Sequence, residues 1–261
     1  MKFSIVTVAF KDLAGLKKTG QSIAAQVCRD YEWIICDGDS GVDVVRFLES
    51  LGQRAKWVSE PDRGIYDAMN RGVSMSSGDY VVFMNAGDLF HNGDTLSRVE
   101  DKLQASSGAD ILFGGAMLSF PRSGMSVYRP PRLVEKSLWH GLPANHQATY
   151  YRKALLDKTP YDLRYRLCGD YYLSASLLRN GAIAEYLDHP LAVFEAGGQS
   201  YKQMGRLFFE PYLIQRDVLS LPFYVRAASV MKRFVSTAGF MLLSQPIFKK
   251  KNNKAVDHEA V

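Results

Sequence analysis

Short runs of apolar residues alternate with helical patterns along the first half of the chain. Four runs have the length and continuity of buried strands, and the segments between them space their apolar residues as amphipathic helices do. The predicted strands are Phe3–Phe10, Glu32–Asp37, Ala55–Ser59 and Tyr80–Met84, and the predicted helices carry Leu13, Leu16 and Ile23 or span Asp43–Leu51 and Ile65–Met75. This β-α-β-α order predicts an α/β domain whose central sheet is mostly parallel and flanked by helices.

The second half of the chain is less regular and ends in one long helical pattern. Further elements are predicted as strands at Asp110–Ala116, Asn145–Tyr151 and Asp188–Glu195, a loop or hairpin at Ser119–Pro131 and a helix at Asp170–Asn180. From Ala227 to Leu242 apolar residues recur at helical spacing, which predicts an amphipathic helix. We therefore expect a single main domain at residues 1–200, followed by a C-terminal helical extension at 201–261.

Composition fits a globular protein of a reducing compartment. Of 261 residues, 47% are hydrophobic and 23% are charged, which is ordinary for a folded domain. The cysteines Cys28, Cys36 and Cys168 form no CxxC pair, so a disulfide framework or a zinc site is not expected. Met1–Val8 does not resemble a signal peptide and no apolar run spans a membrane, so we expect a cytoplasmic protein.

Charge and motif content exclude several classes of function. The formal net charge is +5, and much of the local excess lies in Lys249–Lys251 and Lys254, so no nucleic-acid partner is expected. The five histidines show no HxxH or HxH spacing, which argues against a zinc hydrolase. GxSxG, GxGxxG and P-loop motifs are absent from the sequence, which removes the corresponding hydrolase and nucleotide-binding classes.

Polar residues follow three of the predicted strands, where ligands bind in parallel sheets. Asp37 ends the second strand, Glu60–Gly64 follows the third, and Asn85–Asp88 follows the fourth. Asp37 either accepts an N–H from a pyrimidine base or belongs to a strand-to-helix turn. Asp88 either binds a divalent cation beside a diphosphate or belongs to a capped turn, because Mg²⁺ and Mn²⁺ prefer hard oxygen ligands.

Two further residues are candidates for chemistry in the second half of the chain. Asp170 follows Cys168 and Gly169 at the start of a predicted helix, where a carboxylate serves either as helix N-cap or as general base. His146 lies in Pro143–Ala148 and is either a structural hydrogen-bonding residue or part of a ligand pocket.

In this order, the segments resemble the family-2 glycosyltransferases with the GT-A, Rossmann-like fold. The resemblance covers roughly Lys2 to Ser200 and rests on the segments Ser4–Phe10, Glu32–Ser40, Ser59–Gly72, Gly78–Asp88 and Cys168–Tyr172. Within the family, Gly64–Gly72, Asn85–Asp88 and Pro143–Ala148 resemble the WcaE-like branch of colanic-acid and related exopolysaccharide transferases.

The resemblance implies an inverting hexosyltransferase-type enzyme that uses a UDP- or GDP-sugar. Its acceptor would be a hydroxyl of a polyprenyl-diphosphate-linked saccharide. The implied nucleotide-binding residues are Thr7, Ala9, Phe10, Asp37, Arg63, Asp67, Asn70 and Asn85. Asp88 would hold Mg²⁺ or Mn²⁺, Asp170 would be the general base, and His146 would line the acceptor or donor pocket.

The sequence departs from the family pattern at the metal motif. The common DxDD pattern would place carboxylates at positions 85, 87 and 88, whereas this chain has Asn85, Gly87 and Asp88. A single carboxylate supports an alternative, a non-catalytic sugar-nucleotide or polysaccharide-binding protein that retains the fold. A nucleotidyltransferase is a weaker alternative, because Ala9–Asp12 supplies no Gly-rich phosphate loop after the first strand.

The C-terminal helix leaves two interpretations open. Arg226, Lys232 and Arg233 lie mainly between its apolar positions, and Lys249–Lys251 follow it. Such a helix either packs on the enzyme or lies on a membrane surface with its basic residues near anionic lipid. The resemblance to enzymes with lipid-linked acceptors favours peripheral contact with the inner face of the cytoplasmic membrane.

Overall fold

A computed structural model describes residues 1–106, 108–120, 124–195 and 204–244. The predicted domain boundary near residue 200 and the lysine-rich tail lie outside these ranges and stay predictions.

The described chain alternates strands and helices in its first half and becomes mostly helical near its C-terminus. The strands are β1 Phe3–Ala9, β2 Tyr31–Asp37, β3 Lys56–Ser59, β4 Tyr80–Phe83, β5 Leu89–Phe90, β6 Ile111–Phe120, β7 Met125–Arg129, β8 Thr149–Arg152 and β9 Ala184–Glu195. The helices are α1 Leu13–Ala24, α2 Val42–Leu51, α3 Ile65–Met75, α4 Thr95–Ala105, α5 Val134–Ser137, α6 Lys153–Leu156, α7 Gly169–Arg179, α8 Met204–Asp217 and α9 Phe223–Ser244.

The strands form one mixed sheet in the order β3-β2-β1-β4-β8-β6-β9-β5, with β7 paired to β6. The first four strands are parallel, as the β-α-β-α pattern predicts, and their register places Ala9 beside Asp37 and Asp37 beside Ser59. Beyond them β8 runs antiparallel to both β4 and β6. The expected α/β architecture with C-terminal helices is confirmed, and its parallel half is the part that the sequence describes best.

The sheet has a hydrophobic core on each face, because successive apolar side chains of a strand point to opposite sides. Ile5 and Val82 pack on one face with α1, α2 and α4, while Val6 and Phe83 pack on the other with α3 and α7. Neighbouring residues of a strand point to opposite faces, so each apolar strand serves two cores at once.

The C-terminal helices pack against α7 through a third, smaller core. Ile214 of α8 is fully buried beside Tyr171 and Ala175 of α7. Helices α4 and α8 were not predicted, and α9 begins at Phe223, before the predicted start at Ala227. None of the described helices combines the length and hydropathy needed to cross a membrane.

Candidate active site

The carboxyl ends of β1, β2 and β3 present a row of residues at one edge of the sheet. Asp37 is fully buried there. One of its carboxylate oxygens accepts hydrogen bonds from the Ser40 backbone N–H at 2.9 Å and the Ser59 hydroxyl at 2.7 Å. The Ser40 hydroxyl donates to the other oxygen. These serine hydrogen bonds fix the Asp37 carboxylate. An N–H group of a nucleotide base would add a further hydrogen bond to the carboxylate or replace one from a serine.

The loop after β4 is fixed by a threonine that the sequence did not single out. The fully buried Thr19 hydroxyl donates to the backbone oxygen of Asp88 at 2.8 Å and accepts from the backbone N–H of Gly87 at 3.0 Å. Gly87 has φ of 97°, a conformation that an aspartate adopts only with strain. Glycine at position 87 thus suits the backbone conformation of this loop.

Asp88 is a buried carboxylate at the tip of the sheet. Its residue is 9% exposed, and its oxygens accept from the Asn85 backbone N–H at 3.1 Å and from Gln147 Nε2 at 3.3 Å. Burial raises the pKa of the Asp88 carboxyl to about 6, although His146 and the two hydrogen bonds act in the opposite direction. A further positive charge beside Asp88 would stabilise its ionised form.

His146 joins the loop after β4 to helix α7. Its Nε2 lies 3.1 Å from Asn85 Nδ2, and its Nδ1 lies 3.7 Å from Asp170 Oδ2. Burial alone would lower the pKa of His146, but the carboxylates of Asp170 and Asp88 outweigh burial and raise it. Four of the predicted site residues, Asn85, Asp88, His146 and Asp170, are therefore brought into one polar network.

Asp170 lies in the first turn of α7 and is not its N-cap. The helix begins at Gly169 with Cys168 as N-cap residue, and Asp170 Oδ1 accepts from the Tyr171 backbone N–H at 2.8 Å. A Cβ on Gly169 would lie 2.7 Å from the Tyr66 ring, so glycine allows α7 to approach α3. The N-cap interpretation of Asp170 is wrong, and the carboxylate is left pointing toward His146.

A glutamate from α8 anchors the segment that leads into α7. The carboxylate of Glu210 accepts backbone N–H groups of Arg166 at 3.0 Å and of Leu167 and Cys168 at 2.9 Å each. Glu210 is 5% exposed. The Cys168 side chain makes no N-cap hydrogen bond. The carboxylate of Glu210, 42 residues further along the chain, instead accepts hydrogen bonds from the backbone N–H groups that precede α7.

The remaining predicted nucleotide-binding residues are more scattered. Phe10 is 62% exposed beside the Asp37 turn, whereas Thr7 is fully buried and accepts a hydrogen bond from the Trp33 indole. Arg63 and Asp67 form an ion pair at 2.9 Å on the surface of α3. Asn70 exchanges two hydrogen bonds with the backbone of Tyr161. The Thr7 side chain is therefore buried in the core, and the amide of Asn70 is engaged by the Tyr161 backbone.

The model of the family "Glycosyl transferase family 2" matches residues 4–178. The chain belongs to this family. The match includes strands β2 to β8, the Asn85–Asp88 loop and almost all of the helix that carries Asp170, whereas β9 lies beyond it.

Curated relatives of this family-2 glycosyltransferase include mycobacterial enzymes. A "PGL/p-HBAD biosynthesis glycosyltransferase" of Mycobacterium tuberculosis is 30% identical over 212 residues, which is 78% of either chain. An uncharacterized glycosyltransferase of the same species is 35% identical over 182 residues, covering 67% of this chain and 69% of the relative. The WcaE-like exopolysaccharide branch is not among these relatives and stays a prediction.

Solved structures of other glycosyltransferases share the fold. S. aureus TarS residues 1–349, crystallised with UDP-GlcNAc, superposes with a TM-score of 0.68 at 15% identity, over 93% of this chain and 76% of TarS. The mannosyltransferase PcManGT from Pyrobaculum calidifontis, solved with GDP-Man and Mn²⁺, gives a TM-score of 0.63 at 16% identity, over 92% of this chain and 80% of that one. At these identities the likeness establishes the GT-A fold of this glycosyltransferase.

The side chains around Asp88 in this glycosyltransferase offer oxygen ligands for a divalent cation. Within the described ranges, no group of three or more His, Cys, Asp or Glu side chains is arranged to hold a metal. Beside the Asp88 carboxylate, however, the side-chain oxygens of Asn85 and Gln147 are buried without a hydrogen-bond partner. One carboxylate and two free amide oxygens fit a hard cation that keeps several waters and takes phosphate oxygens as further ligands.

Proposed function

We propose that this glycosyltransferase moves a sugar from a nucleotide-diphosphate sugar to an acceptor hydroxyl with inversion at the anomeric carbon. The observation that carries the proposal is the polar network at the carboxyl edge of the sheet. It joins the proposed metal ligand Asp88 to the proposed base Asp170 through Asn85 and His146. A binding protein without catalysis has no need to couple these two carboxylates.

The donor side of the proposal rests on the edge formed by β1, β2 and β3. TarS was solved with UDP-GlcNAc and PcManGT with GDP-Man, which makes a nucleotide-diphosphate sugar the expected donor class. In this proposal Asp37, with its carboxylate fixed by Ser40 and Ser59, accepts an N–H from the base. Phe10, exposed beside it, provides an apolar surface for the nucleoside.

Asp88, Asn85 and Gln147 are the residues that would hold Mg²⁺ or Mn²⁺. Bound there, the cation would neutralise the charge of the departing nucleotide diphosphate. The chain itself contributes a buried carboxylate whose pKa is raised by burial, and a nearby cation would stabilise its ionised form. Thr19 keeps the loop in place from α1, so that the oxygens are in position before the donor binds.

Asp170 is the proposed general base. Its Oδ1 is fixed by the Tyr171 N–H, while Oδ2 faces His146 at 3.7 Å, too far for a strong hydrogen bond. Oδ2 therefore has capacity to accept the proton of the attacking hydroxyl. A single displacement of this kind, in which the base acts as the acceptor oxygen attacks, inverts the configuration of the sugar carbon.

Contact with a membrane surface is proposed for α9. Its polar Ser229 is buried against Gln215 of α8, while Met231, Phe234 and Val235 are 71%, 67% and 69% exposed. Met231, Phe234 and Val235 therefore leave apolar side chains exposed on a helix that also packs on α8 through Ser229. An amphiphilic, lipid-linked saccharide acceptor at the inner membrane surface is the partner that fits this arrangement.

Membrane contact is tested by flotation with liposomes of 30% phosphatidylglycerol at low and high salt. We expect the full chain to float at low salt and to be partly released at high salt, because charge attraction is screened. A chain truncated after Leu221 should stay folded and stop floating. Aggregation of the truncated chain would show that the apolar face of α9 is needed for packing.

The proposed reaction is tested by a thermal-shift screen of UDP- and GDP-sugars in the presence of Mn²⁺. A donor at 100 times its dissociation constant should stabilise the protein by about 2.7 kcal/mol. The stabilising donor is then incubated with candidate acceptors, and release of nucleotide diphosphate is measured. Binding without any turnover, including slow donor hydrolysis, would support the non-catalytic alternative.

A further inference from the structure

Three cations surround His140 on the side of α7 that faces α9. Lys232 Nζ lies 3.0 Å from His140 Nε2, and the Arg233 guanidinium donates to the His140 backbone oxygen. Arg132 is exposed nearby and contributes to the same positive field. Together with burial, these charges lower the pKa of His140 to about 4, so the imidazole is neutral at physiological pH. We name Arg132, Lys232 and Arg233 the cation cluster.

The cation cluster lacks a carboxylate partner. Among the described ion pairs, none involves Arg132, Lys232 or Arg233 within 4 Å. Arg233 is also partly desolvated, which lowers the pKa of its guanidinium, and its Nε is buried without a hydrogen-bond partner. A desolvated, unpaired guanidinium is costly, and a bound anion offsets that cost.

Two arginines in another groove of the molecule differ from the cation cluster in having carboxylate partners. The space between α8 and residues 164–166, about 380 Å³, is also lined by arginines. There Arg164 pairs with Asp162 at 2.6 Å and Arg216 with Asp217 at 2.6 Å. Arg164 and Arg216 of that groove have carboxylate partners, whereas no described carboxylate pairs with Lys232 or Arg233.

The cation cluster lies next to the proposed base. Arg233 lies over the Tyr171 ring at 5.8 Å, and the Asp170 carboxylate, one residue earlier, acts on it electrostatically. The loop that carries His140 continues through Gly141 to His146, the partner of Asp170. A ligand on the cation cluster therefore approaches Asp170 from the α9 side, away from the nucleotide edge at Asp37.

Apolar side chains adjoin the cation cluster on the same turns of α9. Met231, Phe234 and Val235 share one largely exposed face of α9, and Lys232 lies at its border, between this face and the half-buried Arg233. Trp139 adds an aromatic face, with Lys232 Nζ 5.1 Å from its ring centroid. Positive charge beside exposed apolar side chains is complementary to an amphiphile with an anionic head and an apolar tail.

We propose that Arg132, Lys232 and Arg233 bind the phosphate or diphosphate group of a lipid-linked acceptor, while Met231, Phe234 and Val235 contact the start of its apolar chain. This inference rests on the proposed function, since it assigns the acceptor of the same reaction. The saccharide that follows the phosphate then reaches Asp170 with a hydroxyl directed at the donor sugar.

The test uses farnesyl diphosphate as probe and intrinsic tryptophan fluorescence, to which Trp139 contributes, as readout. The full chain is kept in EDTA so that the metal-dependent site does not compete. We expect farnesyl diphosphate to bind at least tenfold more tightly than inorganic pyrophosphate and to lose affinity as salt rises. Farnesol, which lacks the charge, should not bind in the same range. Equal affinity for farnesol and farnesyl diphosphate would overturn the anionic site.

The variant for this test is Arg132→Gln with Lys232→Gln, since both side chains are exposed and Arg233 stays in place. It should weaken farnesyl diphosphate binding at least tenfold, about 1.4 kcal/mol. Lys18→Gln is the matched control, because Lys18 is exposed on α1, and it should bind as the unmodified chain does. Unchanged affinity in the double variant would overturn the proposal.

Nucleotide-sugar thermal shift of the same proteins separates the two proposals. A double variant that still binds the donor but not farnesyl diphosphate supports the acceptor site. Absence of donor binding in the unmodified chain, with farnesyl diphosphate still bound, would instead contradict the proposed function and leave the anionic site standing.

Discussion

The replacement Glu210→Gln tests whether α8 is part of the catalytic domain. The carboxylate of Glu210 accepts three backbone N–H groups, from Arg166, Leu167 and Cys168, at 2.9 to 3.0 Å. Glutamine keeps one oxygen and turns an NH₂ group toward the remaining donors, so one or two of these bonds are lost. Each lost bond costs about 1–3 kcal/mol when the donor is left buried and unpaired. We therefore expect a loss of about 2–4 kcal/mol in the free energy of unfolding.

Urea denaturation of the full chain measures this loss, with Glu49→Gln on the exposed face of α2 as control. Turnover should also fall, because Glu210 fixes the segment that carries Asp170, while nucleotide affinity at the far edge should remain. A destabilisation below about 0.5 kcal/mol, equal to that of the control, would show that the Glu210 carboxylate does not hold the segment before α7.

Three other replacements test separate parts of the account. Asp170→Asn should lower kcat by about 10²- to 10⁴-fold with little change in donor KM, and steady-state kinetics with near-normal kcat would contradict its role as base. Thr19→Val should lower the free energy of unfolding by about 1–3 kcal/mol, measured by urea denaturation, because buried backbone groups of the Asn85–Asp88 loop lose their hydrogen-bond partner. An unchanged free energy of unfolding would contradict the role of the Thr19 hydroxyl in fixing this loop. In the folded protein burial opposes ionisation of Glu32, but hydrogen bonds from Lys56, Ser4 and Ser77 outweigh it and lower its pKa from 4.5 to about 2. Glu32→Gln should therefore lower the free energy of unfolding by up to about 3 kcal/mol at pH 7. This difference between the variant and the unmodified chain should fade as pH falls from 4.5 toward 2, and a difference independent of pH would contradict the role of Glu32.

The sequence predicted the parallel half of the sheet well because local pattern determines it. Continuous apolar strands and amphipathic helices alternate there, and the helix Ile65–Met75 has the same bounds in the structure. The polar residues after the strands were found for the same reason, since strand ends locate ligand sites in such sheets. Asn85, Asp88, His146 and Asp170 come together although 85 residues separate the first from the last.

Contacts between distant segments were beyond the sequence pattern. Glu210 and Thr19 act through backbone groups far along the chain, so their types and spacing carry no local signal. Thr7 was expected at the nucleotide, but alternation along β1 places its side chain in the core against Trp33. In α9 helical spacing was recognised, yet the pattern alone does not tell which residues pack: Ser229 is buried, whereas Met231, Phe234 and Val235 are exposed.

The central claim is that Asp88 holds a divalent cation against the diphosphate of the donor. Calorimetric titration of UDP and GDP, with Mn²⁺ and with EDTA, measures this directly in the unmodified chain and in Asp88→Asn. Asparagine preserves the shape of the side chain and removes its charge. The account predicts that Mn²⁺ raises nucleotide affinity at least tenfold in the unmodified chain and much less in the variant, while both stay folded. An equal gain from Mn²⁺ in both proteins would contradict the account.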